Sequence, residues 1–154
     1  MLLCEVNRLS SHMLFMATNG MDLGAVGMML YGWREREELL RWLEKVTGLR
    51  MNHNFIRPGG LAADLPDGWR EDLEPVLDVL PDRLEEFDTL MTGQPIWRER
   101  LQGVGVITAE EALVLGATGP ILRSTGYAWD LRRDLPYLRY DDVAFDVIVG
   151  SYGD

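Results

Sequence analysis

Between Arg8 and Arg34 the chain runs 25 residues with a single formal charge, that of Asp22. A stretch so poor in charge has to be covered, either by lipid or by packed protein. Its length invites a transmembrane reading, but its content opposes one. The same residues include Ser10, Ser11, His12, Thr18, Asn19 and four glycines. A central aspartate alone costs ~2.5–3.5 kcal/mol on insertion scales. A buried helix, broken or kinked between Gly20 and Gly27, is the better reading.

Within that stretch Asp22 stands among Met, Leu, Gly and Ala. A carboxyl group sheltered by such neighbours either finds a partner or stays protonated, and both outcomes are typical of a site. The competing structural reading makes Asp22 an N-cap for a second helix starting at the break. Leu14, Thr18 and Asp22 are four residues apart, so a continuous helix stacks them on one face. That stripe either lines a pocket or forms a packed seam ending in a capping acid.

The totals narrow the class. The chain has 154 residues, about one domain, and a formal net charge of −10. Nucleic acid is excluded as a partner, because phosphate neutralisation needs a basic face. Residues 64–91 carry ten acids against Arg70 and Arg83, which reads as the solvated face of an amphipathic helix. Cys4 is the only cysteine, read as a small buried apolar residue, so a disulfide within the chain and a cysteine-rich metal site are both ruled out. No secretory signal opens the chain.

Periodicity predicts a mainly α architecture with long irregular loops and minor β. Residues 2–19 form a helix with Leu2, Val6, Leu9, Met13 and Met16 on one side. Residues 33–47 form an amphipathic helix with Leu39, Trp42, Leu43 and Val46 as its apolar stripe and Gly48 at the C-cap. Residues 51–66, with Pro58-Gly59-Gly60, read as loop. A long acidic helix spans 69–91, bent or split at Pro81, and another turn or two follows at 96–101. Thr108-Ala-Glu-Glu111 is a capping box opening a short helix that ends at Gly116. In the irregular remainder, Val143–Val149 reads as a short strand. Four stretches result, 1–50, 51–66, 67–101 and 102–154, and the uncapped ends suggest a segment of one larger domain.

Few groupings carry chemistry by spacing alone. There is no His-Glu-x-x-His, Cys-x-x-Cys or Gly-x-Ser-x-Gly pattern. His12 reads as a hydrogen-bonded residue on a buried helix face. The Gly20, Gly24 and Gly27 series signals close helix approach. Arg57 either holds an acid or anchors its loop. Arg123, Arg132 and Arg133 with Asp130 and Asp134 read as a surface ion-pair cluster of little energetic weight.

Several motifs taken together do name a family. They are Glu5-Val-Asn-Arg-Leu-Ser-Ser-His12, Met21-Asp-Leu-Gly-Ala25, Arg34-Glu-Arg-Glu37, Val46-Thr-Gly-Leu-Arg-Met51, Phe55-Ile-Arg-Pro-Gly-Gly60 and Asp64-Leu-Pro66. Downstream follow Ile96-Trp-Arg-Glu-Arg100, Gly103-Val-Gly-Val-Ile-Thr-Ala-Glu-Glu-Ala-Leu113, Gly126-Tyr-Ala-Trp-Asp-Leu-Arg132 and Phe145-Asp-Val147. In order and over the whole length, the chain resembles the central part of the D (49-kilodalton) subunit of NADH:quinone oxidoreductase, respiratory complex I.

The resemblance implies a fragment of a fold related to the nickel–iron hydrogenase large subunit, on the cytoplasmic side of a bacterial cell membrane as a peripheral element. It implies a quinone head-group pocket shared with the cluster-bearing B subunit, and the C subunit and membrane H subunit as further partners. Asp22 matches the family acid that pairs with a head-group histidine. Thr18 and Leu14 match pocket-wall positions, so residues 1–50 become a quinone-pocket wall. Asn52, His53 and Arg57 fall near the terminal iron–sulfur cluster, which the partner subunit holds. The segment itself then binds no cofactor and no metal, and quinone is a substrate. The family often has histidine where this chain has Asn52, with His53 one place later. That departure implies a terminal cluster of lower, less pH-dependent potential, suiting a low-potential quinone such as menaquinone. Two other readings compete: an energy-converting hydrogenase large-subunit homologue, and a non-catalytic helical scaffold.

Overall fold

In the computed structural model, which describes residues 1–154, two helices turn back on each other as a hairpin: α1 (Leu2–Asp22) and α2 (Gly27–Thr47). The expected break falls between them. Gly24 adopts φ +92° there, and Ala25 N–H donates to Gly20 O at 2.7 Å. Only glycine adopts that backbone without strain.

Small residues set how closely the helices approach. A Cβ placed on Gly32 would lie 2.6 Å from the Ala17 Cβ and 2.7 Å from the Met13 carbonyl oxygen. One on Gly20 would lie 2.5 Å from the Met28 Cβ. Gly20 thus has the packing role expected of it, whereas Gly27 faces open space and Gly24 makes the turn. The tightest backbone contact is at Gly32, outside the predicted series.

The stripe of α1 is rotated from the one expected. Leu3, Val6, Ser10, Met13, Ala17 and Gly20 are buried, while Leu2, Leu9 and Met16 are half-buried. Toward the tip small residues, Ala17 and Gly20, take the buried positions, because the neighbouring helix comes so near there. On α2 the expected Leu39, Trp42, Leu43 and Val46 are all buried. Gly48 closes the helix at φ +81°, its N–H bonded to Glu44 O.

The segment after α2 is not all loop. Ile56–Arg57 (β1) and Gly60–Leu61 (β2) pair antiparallel around Pro58-Gly59. Gly59, at φ +91°, occupies the turn position that requires a positive φ.

Helix α3 (Trp69–Leu90) runs unbroken through Pro75 and Pro81, so Pro81 does not split it. Each proline removes one amide donor, from the carbonyls of Glu71 and Leu77. Both residues are exposed, so water takes the freed acceptors. Leu73, Leu80 and Phe87 are its buried side chains. Trp42 Nε1 donates to Trp69 O at 2.8 Å, tying α2 to the start of α3.

By its internal packing the chain divides into two compact units, residues 2–95 and 96–154. The second holds α4 (Pro95–Leu101), α5 (Ala109–Val114), α6 (Gly119–Ser124), α7 (Leu131–Asp134) and a 3₁₀ turn at Tyr140–Asp142. The capping box is as predicted. Thr108 Oγ1 accepts from Glu111 N–H at 3.2 Å and Glu111 Oε2 accepts from Thr108 N–H at 2.9 Å. That backbone bond holds the Glu111 carboxyl below its usual range.

Val143–Val149 forms no strand. A strand needs a neighbour to pair with, and the chain beyond it bonds to helix ends instead: Gly150 N–H to Arg123 O at 2.8 Å, Gly153 N–H to Ser124 O at 2.9 Å. Of the arginine–aspartate group, Arg133 and Asp134 are exposed as expected, but Arg123, Asp130 and Arg132 are not surface residues. Asp130 is 7% exposed. Arg132 grips it with Nε at 3.0 Å and Nη2 at 2.6 Å, while Arg123 Nη1 lies 3.7 Å away. Arg132 also covers the Phe145 ring at 4.4 Å. The Arg132 hydrogen bonds, opposed by burial, hold the Asp130 carboxyl below its usual value.

Two outcomes follow for stability. Gly32→Val should destabilise residues 2–95 by about 2–3 kcal/mol through overpacking, whereas Gly27→Ala should be neutral or gain up to about 1 kcal/mol; urea denaturation of the two variants checks both. Asp130→Asn removes the buried carboxylate that accepts from Arg132 Nε and Nη2 and should cost about 3 kcal/mol. Because the folded Asp130 value is depressed, its contribution is complete above the ordinary aspartate range and is lost as pH falls through the lower folded value. Hydrogen-exchange protection of the 129–134 amides, followed from pH 6 down to about pH 2, reads this out.

Candidate functional site

Helix α1 is continuous to Asp22, so Leu14, Thr18 and Asp22 do lie along one face. Asp22 is neither sheltered nor an N-cap. It is exposed and is the last residue of α1, while α2 begins after Val26 with no side-chain cap. Its apolar surroundings are real, but they form an exposed surface. Met21, Val26 and Leu30, at the same tip, are 41%, 66% and 76% exposed, and Phe15 on α1 is 61% exposed. At this tip the two helices bury only the faces they turn to each other, and the apolar side chains on the outside stay open.

A carboxylate at a helix C-terminus opposes the helix dipole, and Asp22 has no ion-pair partner among the described residues. Thr18 Oγ1 donates to Leu14 O at 2.9 Å and Phe15 O at 3.2 Å. Its hydroxyl proton is therefore engaged within the helix, and only its oxygen lone pairs face outward as acceptors. Asp22 is the one ionisable group on this stripe.

The other end of the hairpin carries a cavity of about 470 Å³. Asn7 and Ser10 of α1, Arg36 of α2, and Arg50, Asn52 and His53 beyond it supply its polar wall. Cys4, half-buried rather than buried, also faces it. Ser10 and Asp22 are separated by twelve positions on α1, roughly 18 Å along the axis, so the structure does not gather the predicted residues into one place. Asn52 has φ +55°, a left-handed conformation that asparagine and histidine tolerate better than most. It is exposed; His53 is half-buried with Nδ1 sealed and unbonded.

Arg57 is exposed on β1 and its Nε donates to Asn54 O at 3.0 Å, so it anchors its own loop. His12 lies on the exposed side of α1, not on a buried face.

Two buried charges were not legible as such in the sequence. Glu35 is 4% exposed; it is held by Arg34, and Arg83 Nε of α3 lies 3.4 Å from its Oε1. Arg34 and Arg83 also share Glu86 at 3.0 and 3.3 Å, closing a four-member network between α2 and α3. Arg36 is 8% exposed. The signal for both was the helical spacing: Gly32, Glu35, Arg36, Leu39 and Leu40 continue one buried stripe. The apolar stripe read from the sequence for this helix begins only at Leu39 and so leaves Glu35 and Arg36 out.

The helical hairpin thus exposes an acid on an apolar tip and carries a polar cavity at its base. Comparison with known proteins gives the family. Residues 22–154 match the model of the respiratory-chain NADH dehydrogenase 49-kilodalton subunit, and the chain belongs to that family.

Among its relatives, the D 1 subunit of the NADH-quinone oxidoreductase of Salinispora arenicola is 52% identical over 153 residues, 99% of this chain and 35% of the relative. The D subunit of the Acidothermus cellulolyticus enzyme is 50% identical over the same coverage. The D subunit from a Mycobacterium species (strain KMS) is 53% identical over 147 residues, 96% of this chain and 33% of the relative. The chain thus spans about a third of the length of these relatives. Among solved structures, a chain of the membrane-bound sulfane sulfur reductase, an archaeal respiratory membrane complex, superposes with a TM-score of 0.94 at 33% identity. The match covers 99% of this chain and 41% of that one. No helix here is long and apolar enough to cross a membrane.

Asp22 stabilises nothing in its own fold. Asp22→Asn should leave the chain as stable as before or raise its stability by about 0.3–1 kcal/mol, the size of a relieved dipole clash, as measured by urea denaturation at low ionic strength.

Proposed function

We propose that the chain contributes one wall of the quinone head-group pocket in a multisubunit NADH:quinone oxidoreductase, and that Asp22 is its working group. The observation that carries the reading is the placement of Asp22: an ionisable group without a partner, at an unfavourable helix end, on an exposed apolar tip in line with Thr18 and Leu14. An acid that opposes its own helix is left available to a group outside that helix. The NADH-quinone oxidoreductase relatives at 50–53% identity support quinone as the substrate. The sulfane sulfur reductase chain shares the fold at lower identity, so fold alone does not select the acceptor and the site residues do.

In this reading the apolar tip excludes water and seats the head group, with Leu14 and Thr18 forming the wall. Electrons would come from an iron–sulfur cluster held by a partner subunit. Asp22 holds a histidine supplied by another part of the full-length protein and releases it as the quinone takes up protons. That change of charge pairing is a switch able to start a conformational step linked to proton movement across the membrane. The B, C and H subunits are the proposed neighbours, at the cytoplasmic side of a bacterial membrane, and a body related to the nickel–iron hydrogenase large subunit is the proposed frame. The segment by itself is expected to be inactive.

Position 52 is the second proposal within this site. Asn52 takes up no proton, so the nearby cluster keeps a low and nearly pH-independent potential, which suits menaquinone. A redox titration of that cluster across pH in the intact complex checks it: a flat profile is expected, and a steep slope abolished by changing His53 would transfer the role to His53.

For Asp22, the intact complex carrying Asp22→Asn should assemble normally and reduce quinone roughly 10–100-fold more slowly, the lower range for a positioned proton-handling group. Blue-native gels and quinone-reduction rates read the two halves separately. Failed assembly, or an unchanged rate, removes Asp22 from the mechanism.

A further inference from the structure

Arg36 is a buried cation with no counter-ion. Its Nη1 donates to Ser10 O at 2.5 Å and Ser10 Oγ at 2.8 Å, its Nη2 to Met51 Sδ at 3.3 Å, and its guanidinium lies 5.4 Å from the Trp33 ring centre. Every one of these partners is neutral. Its Nε is buried and bonded to nothing, and burial pushes its pKa down. The neighbouring acids are already taken. Glu37 pairs with Arg50 and Arg41, and Glu35 with Arg34 and Arg83. Arg50, the second cation on the cavity wall, is thereby neutralised, and Arg36 is not. The cavity also receives His53, whose buried Nδ1 is a second unbonded polar atom. A buried charge and a buried polar atom left unpaired at one cavity describe a site that requires a complementary group.

The geometry points to a carboxylate-binding site in this cavity, anchored by Arg36. The Nε and Nη2 edge of a guanidinium offers two parallel donors that match the two oxygens of a carboxylate. Here Nε is empty and Nη2 holds only a thioether, a weak acceptor. Met51 is 50% exposed and its unbranched side chain swings aside readily, which opens that edge to the cavity. His53 lines the same cavity and adds an imidazole to its polar wall. The carboxylate comes either from a free small acid or from an Asp or Glu side chain elsewhere in the assembled complex. This assignment stands on the cavity alone and does not depend on Asp22 or on quinone.

The test uses the intact complex as wild type, R36K and R36Q. Its thermal unfolding midpoint is followed against sodium acetate at constant ionic strength, and the wild type is imaged by electron cryomicroscopy in acetate-free buffer. For a free acid, the midpoint climbs saturably with acetate in the wild type, keeps part of the climb in R36K, and loses it in R36Q. For a built-in side chain, the midpoint ignores acetate and the map shows an Asp or Glu oxygen within about 3.2 Å of Arg36 Nε or Nη2. Either result supports the site. A map with only water, chloride or apolar atoms around Arg36, together with an acetate-indifferent midpoint, overturns it. If the variants fail to assemble, the wild-type map and acetate series decide.

Discussion

The contact between Gly32 and the Met13–Ala17 turn is the constraint on which residues 2–95 depend. At that point α2 lies so near α1 that a methyl group would strike backbone. A side chain larger than glycine at position 32 is incompatible with this approach. Once closed there, its register follows: Gly20 meets Met28 at the tip, and Ser10 meets Arg36 toward the base. Packing along this seam places Asp22 at one end and the Arg36 cavity at the other.

That separation organises the chemistry. The tip presents apolar side chains and one carboxylate, an arrangement suited to a neutral, proton-accepting ring compound once covered. The base presents a buried guanidinium and an imidazole around a polar cavity, suited to an anion. A single helix pair thus carries the two proposed sites, about 18 Å apart on α1. Arg34, Glu35, Arg83 and Glu86 brace the pair against α3, and the Asp130–Arg132 pair organises residues 96–154 in a comparable way.

What could be read from residues alone divides along physical lines. Local signals held: the Leu39–Val46 stripe, the Gly48 cap, the break before Gly27 and the Thr108–Glu111 box each depend on nearby positions along one helix or turn. Signals that depend on distant chain did not. The Val143–Val149 run looks like a strand, but strands form only against partners, and its surroundings offer helix ends. Asp22 looks sheltered because its sequence neighbours are apolar; at that end of α1 the buried positions are Ala17 and Gly20, and Met21 and Asp22 lie outside the seam. Glu35 and Arg36 look solvated because they are charged, and helical spacing outweighed charge. The family itself was legible from ordered motifs, and it is the family that supplies a chemistry for the exposed acid.

The most direct test of Asp22 as the working group is an electron cryomicroscopy map of the intact complex with quinone bound. The tip around Asp22 should then be covered, with its carboxylate within hydrogen-bond distance of a histidine beside the quinone head group. A map in which Asp22 remains open to bulk water, with the quinone seated against another surface, would contradict it.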